Sequence, residues 1–320
     1  MDPGAAAFEV GKCLAGLVLL YVGGEGLVRG ASALAMRLGI SALAVGLTIV
    51  AFGTSSPELV VSLDAALAGA NDIAIGNVVG SNIANIALIL GLAALVRPAT
   101  VHAKIIRLDT PLMILASLGL VVALADGRLS RLEGSILLLG LCVYTTFTFW
   151  EARRESVLVQ QELASVAPGP SGAAASSALL VAGALLVLAC GGHLLVSGAV
   201  QLATTLGVSQ AAIGLTIVAI GTSLPELATS LVASLRNQGD IAIGNIVGSN
   251  LFNILGILGV TAIVRPLALG GITGIDLGVM LILAVALLVL LHSRTRLARI
   301  EGALLLASYL GYVGWLIATA

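Results

Sequence analysis

The chain contains one 46-residue passage twice. Residues 46–91 read GLTIVAFGTSSPELVVSLDAALAGANDIAIGNVVGSNIANIALILG, and residues 214–259 read GLTIVAIGTSLPELATSLVASLRNQGDIAIGNIVGSNLFNILGILG. The two copies are identical at 31 of 46 positions, without a gap and at a constant offset of 168 residues. Each copy places one glutamate, Glu58 or Glu226, within an otherwise apolar stretch. The duplication predicts a molecule built from two similar halves.

The composition indicates a membrane protein. Of the 320 residues, 59% are hydrophobic and 10% are charged, whereas a soluble domain carries about 25% charged residues. The apolar runs are long and continuous, as in residues 108–125. They suit transmembrane helices of roughly 20 residues better than the short alternating strands of a membrane barrel. The chain is therefore predicted to be an all-α integral membrane protein, and its net charge of −1 offers no basic patch for nucleic acid.

Ten apolar spans follow from the pattern, five in each half. Residues 1–150 form the first five-helix repeat, 151–175 a Pro-, Gly- and Ser-containing linker, and 176–320 the second repeat. Because five is odd, the second repeat must enter the membrane from the opposite side, which predicts an inverted-topology repeat with a site between the halves. The predicted spans are 8–30, 41–68, 72–95, 107–125, 131–150, 176–200, 209–235, 240–263, 273–292 and 298–319.

The distribution of Lys and Arg predicts the orientation. With the N-terminus outside, the cytoplasmic loops hold 11 of the 15 basic residues and the other side holds 4. Both termini are thus expected outside and the linker inside, in a multi-pass protein of a prokaryotic plasma (inner) membrane.

Glu58 and Glu226 are the first candidates for a functional site. An ionised carboxylate inside a bilayer costs several kcal/mol unless it is paired, and neither glutamate has a Lys or Arg at helical spacing within its own span. A mobile cation or a proton is then the expected partner. The alternative is a protonated glutamate that only bonds a neighbouring helix, and the duplication makes this alternative less attractive.

The residues before each glutamate favour a hard cation such as Na⁺ or Ca²⁺, which takes oxygen ligands. Thr54 and Ser55 precede Glu58 by four and three residues and so share its helix face. Pro57 removes a backbone donor and breaks the helix, which frees carbonyl groups. Helices 2 and 7 are therefore predicted to be broken. The second copy repeats this arrangement with Thr222, Ser223, Pro225 and Glu226.

The third and eighth spans add further oxygen atoms. Ser81 and Asn85 lie four residues apart on one helix face, as do Ser249 and Asn253, and all four are expected to face the site. The remaining asparagines of these spans have a second interpretation, because Asn commonly joins transmembrane helices by hydrogen bonds. Those residues are Asn77, Asn82, Asn245 and Asn250.

Some polar residues break the repeat. We call the residue 168 positions away the repeat counterpart. The counterpart of Asp64 is Val232, and that of Glu25 is His193. Unequal counterparts suit a role in access to the site better than a role in the site itself.

The paired GTSxPE and GNxxGSNxxN segments resemble the two repeats of the cation/calcium exchanger superfamily, most closely its sodium/calcium exchanger branch. The resemblance covers essentially the whole chain. It implies ten transmembrane helices, four central ion sites, and alternating access with sliding of the first and sixth helices. Carried over by motif position, it implies a set of oxygen ligands that includes two backbone carbonyls, those of Ala51 and Ala219. The full set is Ala51, Thr54, Ser55, Glu58, Ser81, Asn85, Ala219, Thr222, Ser223, Glu226, Ser249 and Asn253.

The expected function is secondary antiport of Na⁺ against Ca²⁺, with no resident cofactor and no protein partner. Proton/calcium relatives typically carry a glutamate shortly after the Gly-Asn of these helices, where this chain has Val78, Val79, Ile246 and Val247. Asn253 stands where potassium-dependent relatives carry Asp, which argues against a K⁺ requirement. A Ca²⁺/H⁺ antiporter is the nearest alternative, followed by a passive cation channel. The chain has no Walker A or HExxH motif, so an ATPase or an intramembrane hydrolase is not expected.

Overall fold

A computed structural model describes residues 3–163, 174–206, 219–294 and 296–319. In chain order the α-helices are α1 Pro3–Leu38, α2 Ala42–Val45, α3 Ala51–Thr54, α4 Ser56–Ala68, α5 Asn71–Ala84, α6 Gly91–Val96, α7 Thr110–Ala123, α8 Arg131–Leu163, α9 Ala174–Thr205, α10 Ala219–Gly221, α11 Leu224–Leu235, α12 Gly239–Leu251, α13 Gly259–Val264, α14 Gly274–Arg294 and α15 Arg299–Thr319. Four short π-helical segments are Gly46–Val50, Asn85–Leu90, Ile105–Asp109 and Phe252–Leu258, and a single 3₁₀ turn is described at Leu124–Asp126. The strands are β1 Ala99–Thr100, β2 Arg128–Leu129, β3 Leu267–Ala268 and β4 Arg296–Leu297.

The architecture is helical and membrane-spanning, as the apolar runs predict. Within the described residues, eight helices are long and apolar enough to cross a membrane, and the bent pair Ala42–Thr54 and Ser56–Ala68 makes nine. The predicted seventh span, 209–235, falls partly outside the described residues, which include its end as the apolar helix Leu224–Leu235. The ten-helix count therefore stays a prediction. Helix α8 continues to Leu163, so the first half of the predicted linker is helical.

The two halves contact each other in duplicate. Strand β1 pairs antiparallel with β4, and β2 pairs antiparallel with β3. Since β3 is the repeat counterpart of β1, and β4 that of β2, one ladder is the image of the other. The same holds for two arginines: Arg97 donates to the Leu235 carbonyl at 3.4 Å, and Arg265 donates to the Leu67 carbonyl at 2.8 Å. Each arginine therefore caps the C-terminal end of a helix of the other half.

The helices that carry the duplicated Asn-rich motif lie at the centre. The continuous spans Asn71–Val96 and Gly239–Val264 are each 78% buried within the protein, whereas the other long spans are between 11% and 39% buried. The outer helices present large apolar side chains outward, such as Leu115, Leu186 and Ile282. This distribution suits lipid around the outside, while the interior is mostly apolar and also holds buried polar side chains.

Helices α1 and α9 form an antiparallel pair along a row of glycines. Gly16 of α1 contacts Gly191 of α9, and Gly30 contacts Val181. Residue numbers therefore rise along α1 as they fall along α9, so the two helices are antiparallel. The contact of Gly198 with Cys13 is the repeat image of the contact of Gly30 with Val181. Gly16, Gly23 and Gly30 are spaced seven residues apart, which places them on one helix face where small residues allow close packing.

The glycine seam yields a stability prediction. A Cβ on Gly16 would lie 2.7 Å from the Leu195 backbone nitrogen and 2.8 Å from the Gly191 carbonyl oxygen, so α1 and α9 would have to separate. We expect Gly16→Ala to lower the stability by about 1–3 kcal/mol, seen as a lower melting temperature in detergent. Gly11→Ala in the same helix is the matched control, because no atom lies within 4 Å of the added Cβ. Equal melting temperatures for the two variants would contradict the close seam.

Candidate cation site

Two helix breaks build the centre of the site. Ser55 (φ −84°, ψ 7°) separates α3 from α4, and Ser223 (φ −87°, ψ 8°) separates α10 from α11. A proline follows in the first turn of each new helix, where its missing N–H has no intrahelical acceptor to lose. The bend at Ser55 is 43°. Each break leaves the N-terminal end of a helix in the interior, where the helix dipole favours a negative charge.

The two glutamates lie in these first turns and are held reciprocally. Ser223 donates to Glu58 Oε1 at 3.2 Å, and Ser55 donates to Glu226 Oε1 at 2.7 Å. Both glutamates are 1% exposed. The hydroxyl at each break thus serves the carboxylate of the other half, so neither half contains a complete site.

Further hydroxyls and amides surround this centre. Ser81 Oγ lies 3.3 Å from Ser223 Oγ, and Ser249 donates to the Ala51 carbonyl at 3.4 Å. Thr54 lies 3.1 Å from the Asn245 amide oxygen, and its counterpart Thr222 lies 3.4 Å from that of Asn77. The broken helices and the Asn-rich helices are therefore joined across the two halves by side-chain contacts.

Among the described residues, four buried oxygen atoms of the candidate ligands have no hydrogen-bond donor. They are Glu58 Oε2, Glu226 Oε2, Asn85 Oδ1 and Asn253 Oδ1. A buried acceptor without a partner costs about 1–3 kcal/mol, and more when it is charged. Carboxylate and amide oxygens are also the ligands that hard cations prefer. These oxygen ligands fit Na⁺ or Ca²⁺, and either cation would supply the positive charge that these unpaired oxygen atoms lack.

The amide orientations of Asn85 and Asn253 are set by two other asparagines. Asn85 Nδ2 donates to Asn250 Oδ1 at 3.0 Å, and Asn253 Nδ2 donates to Asn82 Oδ1 at 3.0 Å. With each NH₂ group engaged in this way, the amide oxygens remain available to the site. Asn82 and Asn250 thus join helices of the two halves by hydrogen bonds. This is the role that the sequence indicated as the alternative to binding a cation.

The structure brings the candidate ligands together, with differences in detail. Ten of the twelve are buried, Thr222 is half-buried, and Ala219 begins α10. The carbonyl of Ala51 already accepts from the Ser55 N–H at 3.0 Å in addition to the Ser249 hydroxyl. The buried ten are Ala51, Thr54, Ser55, Glu58, Ser81, Asn85, Ser223, Glu226, Ser249 and Asn253.

Sequence reasoning missed two serines that support the site. Asn77 Nδ2 donates to Ser62 Oγ at 2.9 Å, and Asn245 Nδ2 donates to Ser230 Oγ at 3.1 Å. Asn77 Nδ2 also donates to the Glu58 carbonyl at 3.1 Å. Ser62 and Ser230 are identical between the two copies, which is the signal that could have identified them.

A cavity of about 290 Å³ leads toward the site from one side. Its walls come from α4, α9 and the second helix break, and they include Val61, Gly192, His193, Val196 and Thr222. Thr222 belongs both to the cavity and to the ring of hydroxyls around the glutamates. The cavity between α4 and α9 thus reaches the edge of the second helix break.

Residues 9–150 and 176–318 match the family model of the sodium/calcium exchanger protein, one half of the chain on each side of the predicted linker. The chain belongs to the sodium/calcium exchanger family. It is a multi-pass membrane antiporter of that family.

Individual exchangers and related membrane proteins resemble the chain over most of its length. The sodium/calcium exchanger MaX1 of Methanosarcina acetivorans is 33% identical, with 94% of this chain and 96% of the relative covered. The inner membrane protein YrbG of Escherichia coli is 42% identical, with 79% of each covered. A solved structure of the sodium-calcium exchanger NCX_Mj superimposes with a TM-score of 0.84 at 32% identity, covering 97% of this chain and 99% of that one.

The reciprocal serine contacts yield a prediction for this exchanger. Ser55→Ala removes the donor to Glu226 Oε1, and a hydrogen bond to a charged group contributes about 1.5–3 kcal/mol. We expect Ca²⁺ affinity, measured by titration calorimetry on the purified protein, to fall about tenfold. Ser56→Ala is the matched control, because the exposed Ser56 hydroxyl donates to the Phe52 carbonyl and not to the site. Equal affinities for the two variants would contradict the assigned contact.

Proposed function

We propose that the chain exchanges Na⁺ for Ca²⁺ by alternating access, as a secondary antiporter. The observation that carries this proposal is a set of four buried oxygen atoms, on Glu58, Glu226, Asn85 and Asn253, that have no hydrogen-bond donor within the described part of the chain. They lie between the two halves, on helices that are broken or packed against the breaks. In this proposal the chain works in the bilayer without a cofactor and without a protein partner.

The charge of the site supports exchange. Two carboxylates balance one Ca²⁺ or two Na⁺, whereas Ca²⁺ bound together with several Na⁺ would leave an excess of positive charge in a buried place. Such an excess is costly where water is excluded. Competition of the two ions for Glu58 and Glu226 therefore couples their movements without an energy-supplying domain.

The surroundings of the asparagine helices favour Na⁺ over H⁺ as the coupling ion. The residues that follow the two Gly-Asn pairs, Val78, Val79, Ile246 and Val247, are apolar and buried. They offer no carboxylate there to carry a proton. The names of two similar proteins, MaX1 and NCX_Mj, describe sodium/calcium exchange.

The proposed ligands are the twelve residues predicted from the motifs. Glu58 and Glu226 would supply the charge, while the hydroxyls of Thr54, Ser55 and their counterparts supply neutral oxygens beside them. Asn85 and Asn253 would complete the centre with their amide oxygens. The carbonyls of Ala51 and Ala219, and the hydroxyls of Ser81 and Ser249, make up the rest of the set.

We further propose ten transmembrane helices as two inverted repeats, with 151–175 as the linker. The antiparallel packing of α1 against α9, which are repeat counterparts, supports opposite orientations of the halves. The excess of Lys and Arg in alternate loops supports termini outside and a cytoplasmic linker. The name of the inner membrane protein YrbG supports the plasma (inner) membrane as the location.

The coupling ion is tested with purified protein in proteoliposomes. We expect ⁴⁵Ca²⁺ to accumulate in vesicles loaded with Na⁺ and diluted into Na⁺-free medium, since outward Na⁺ movement drives Ca²⁺ inward. Matched vesicles with a pH gradient and no Na⁺ are the control and should not accumulate Ca²⁺. Uptake driven by the pH gradient alone would instead establish a Ca²⁺/H⁺ antiporter, and uptake independent of any counter-ion would establish a channel.

The two glutamates are tested one at a time. Glu58→Gln and Glu226→Gln each keep the side-chain shape but remove one negative charge, so the site can no longer balance Ca²⁺. We expect each variant to lose Na⁺-dependent Ca²⁺ uptake. Asp126→Asn, which changes an exposed acid that pairs with Arg128 away from the site, is the control and should retain uptake. Retained uptake in either glutamate variant would remove that residue from the proposed mechanism.

A further inference from the structure

The two halves are alike in sequence but not in how tightly their helices close. On α1, Val28 is 1% exposed and belongs to a buried apolar cluster with Val232 of α11. On α9, the counterpart Val196 lines the cavity, and the counterpart of Val232 is the exposed Asp64. We call the α1–α11 side the closed face and the α9–α4 side the open face.

The closest backbone approach shows the same difference. A Cβ on Gly24 of α1 would lie 3.1 Å from the Ala228 carbonyl oxygen of α11. For its counterpart, Gly192 of α9, the nearest atom to such a Cβ within the described residues is the Gly221 carbonyl oxygen at 3.8 Å. The α1–α11 contact thus excludes solvent, whereas the α9–α4 gap is the cavity.

An ion pair spans the closed face. Arg236, the residue after α11, donates through Nε to Glu25 Oε2 of α1 at 2.9 Å and through Nη2 to Oε1. Arg29, one turn further along α1, also pairs with this carboxylate. The Glu25 side chain is 15% exposed. The bidentate geometry orients both helices as well as attracting them.

The open face cannot form this pair, because the counterparts of Glu25 and Arg236 are His193 and Ala68. A second polar contact follows the same rule. Ser32 Oγ of α1 lies 2.8 Å from Gln238 Oε1, beyond α11, while their counterparts are Val200 and Ala70. The sequence therefore supplies these two polar contacts on the closed face and lacks their counterparts on the open face.

We propose that Glu25 and Arg236 form a latch that holds the closed face shut and biases the protein toward the state open at the α9–α4 face. The inference rests on the proposed alternating access. With the proposed topology the latch is cytoplasmic and the favoured state is open to the outside. A partly exposed ion pair contributes only up to about 1 kcal/mol, which suits a latch that must open in every cycle. It shifts the populations of the two states without preventing their exchange.

Two cysteines report the state of the two faces. Val28→Cys and Val196→Cys are repeat counterparts, one behind the latch and one in the cavity, introduced singly after Cys13, Cys142 and Cys190 are changed to alanine. The labelling rate with a water-soluble maleimide is measured on the detergent-purified protein in choline buffer without Na⁺ or Ca²⁺. With the latch intact, we expect Val196→Cys to react and Val28→Cys to be protected.

Opening the latch should move the two rates in opposite directions. With Glu25→Gln added, we expect labelling at position 28 to rise roughly two- to fivefold and labelling at position 196 to fall. Arg236→Gln should act in the same direction, since the remaining Arg29–Glu25 pair lies within α1 and does not cross the closed face. Asp126→Asn is the control, because it breaks an exposed ion pair with Arg128 elsewhere, and it should change neither rate.

The outcomes separate the latch from the proposed function. Unchanged rates in both latch variants would overturn the latch, and so would a rise at both positions, which indicates loosening rather than exchange between states. Opposite changes in rate support the latch even if the vesicle assay shows no Na⁺/Ca²⁺ exchange, in which case only the proposed substrates fail. Normal Na⁺/Ca²⁺ exchange together with unchanged labelling rates would support the proposed function and contradict the latch.

Discussion

Two buried carboxylates that pair with no basic side chain of the described residues are the constraint on which the rest of this structure depends. From the residues that the structure describes, Glu58 accepts a hydrogen bond from Ser223 and Glu226 from Ser55, and each keeps one oxygen without a donor there. An ionised carboxylate in such surroundings is stable only when a positive charge comes close to it. The helix breaks, the ring of hydroxyls and the oriented amides can all be understood as means of holding these two groups ready for a cation.

The hydrogen bonds at the centre explain why the duplication is functional rather than merely structural. Ser55 serves Glu226, Ser223 serves Glu58, and the amides of Asn82 and Asn250 hold those of Asn253 and Asn85. Because every such contact crosses between the halves, the relative position of the halves affects both glutamates at once. A change in that position can therefore couple ion binding to access.

Symmetry of the site and asymmetry of its access come from different residues. The site is made from positions that are the same or similar in both copies, so it presents nearly the same oxygens to either half. The differences lie outside it, at Glu25 and His193 on the paired helices and at Arg236 and Ala68 where the glutamate-bearing helices end. The cavity lies on the side that lacks the ion pair. Such differences can favour one state without changing the candidate ligands.

The sequence alone determined the membrane-spanning helical class, the two halves, the break before Pro57 and the chemistry of the candidate ligands, because hydrophobicity, proline geometry and side-chain oxygens are local properties. It could not determine that Ser55 reaches Glu226 rather than Glu58, which way the amide of Asn85 faces, or that Ser62 supports Asn77. Those depend on which helices of the opposite half pack alongside, and packing is not encoded at any single position. Only the tertiary structure decided that α1 closes against α11 while α9 leaves a cavity beside α4, because contacts between helices depend on how the two halves fold against each other.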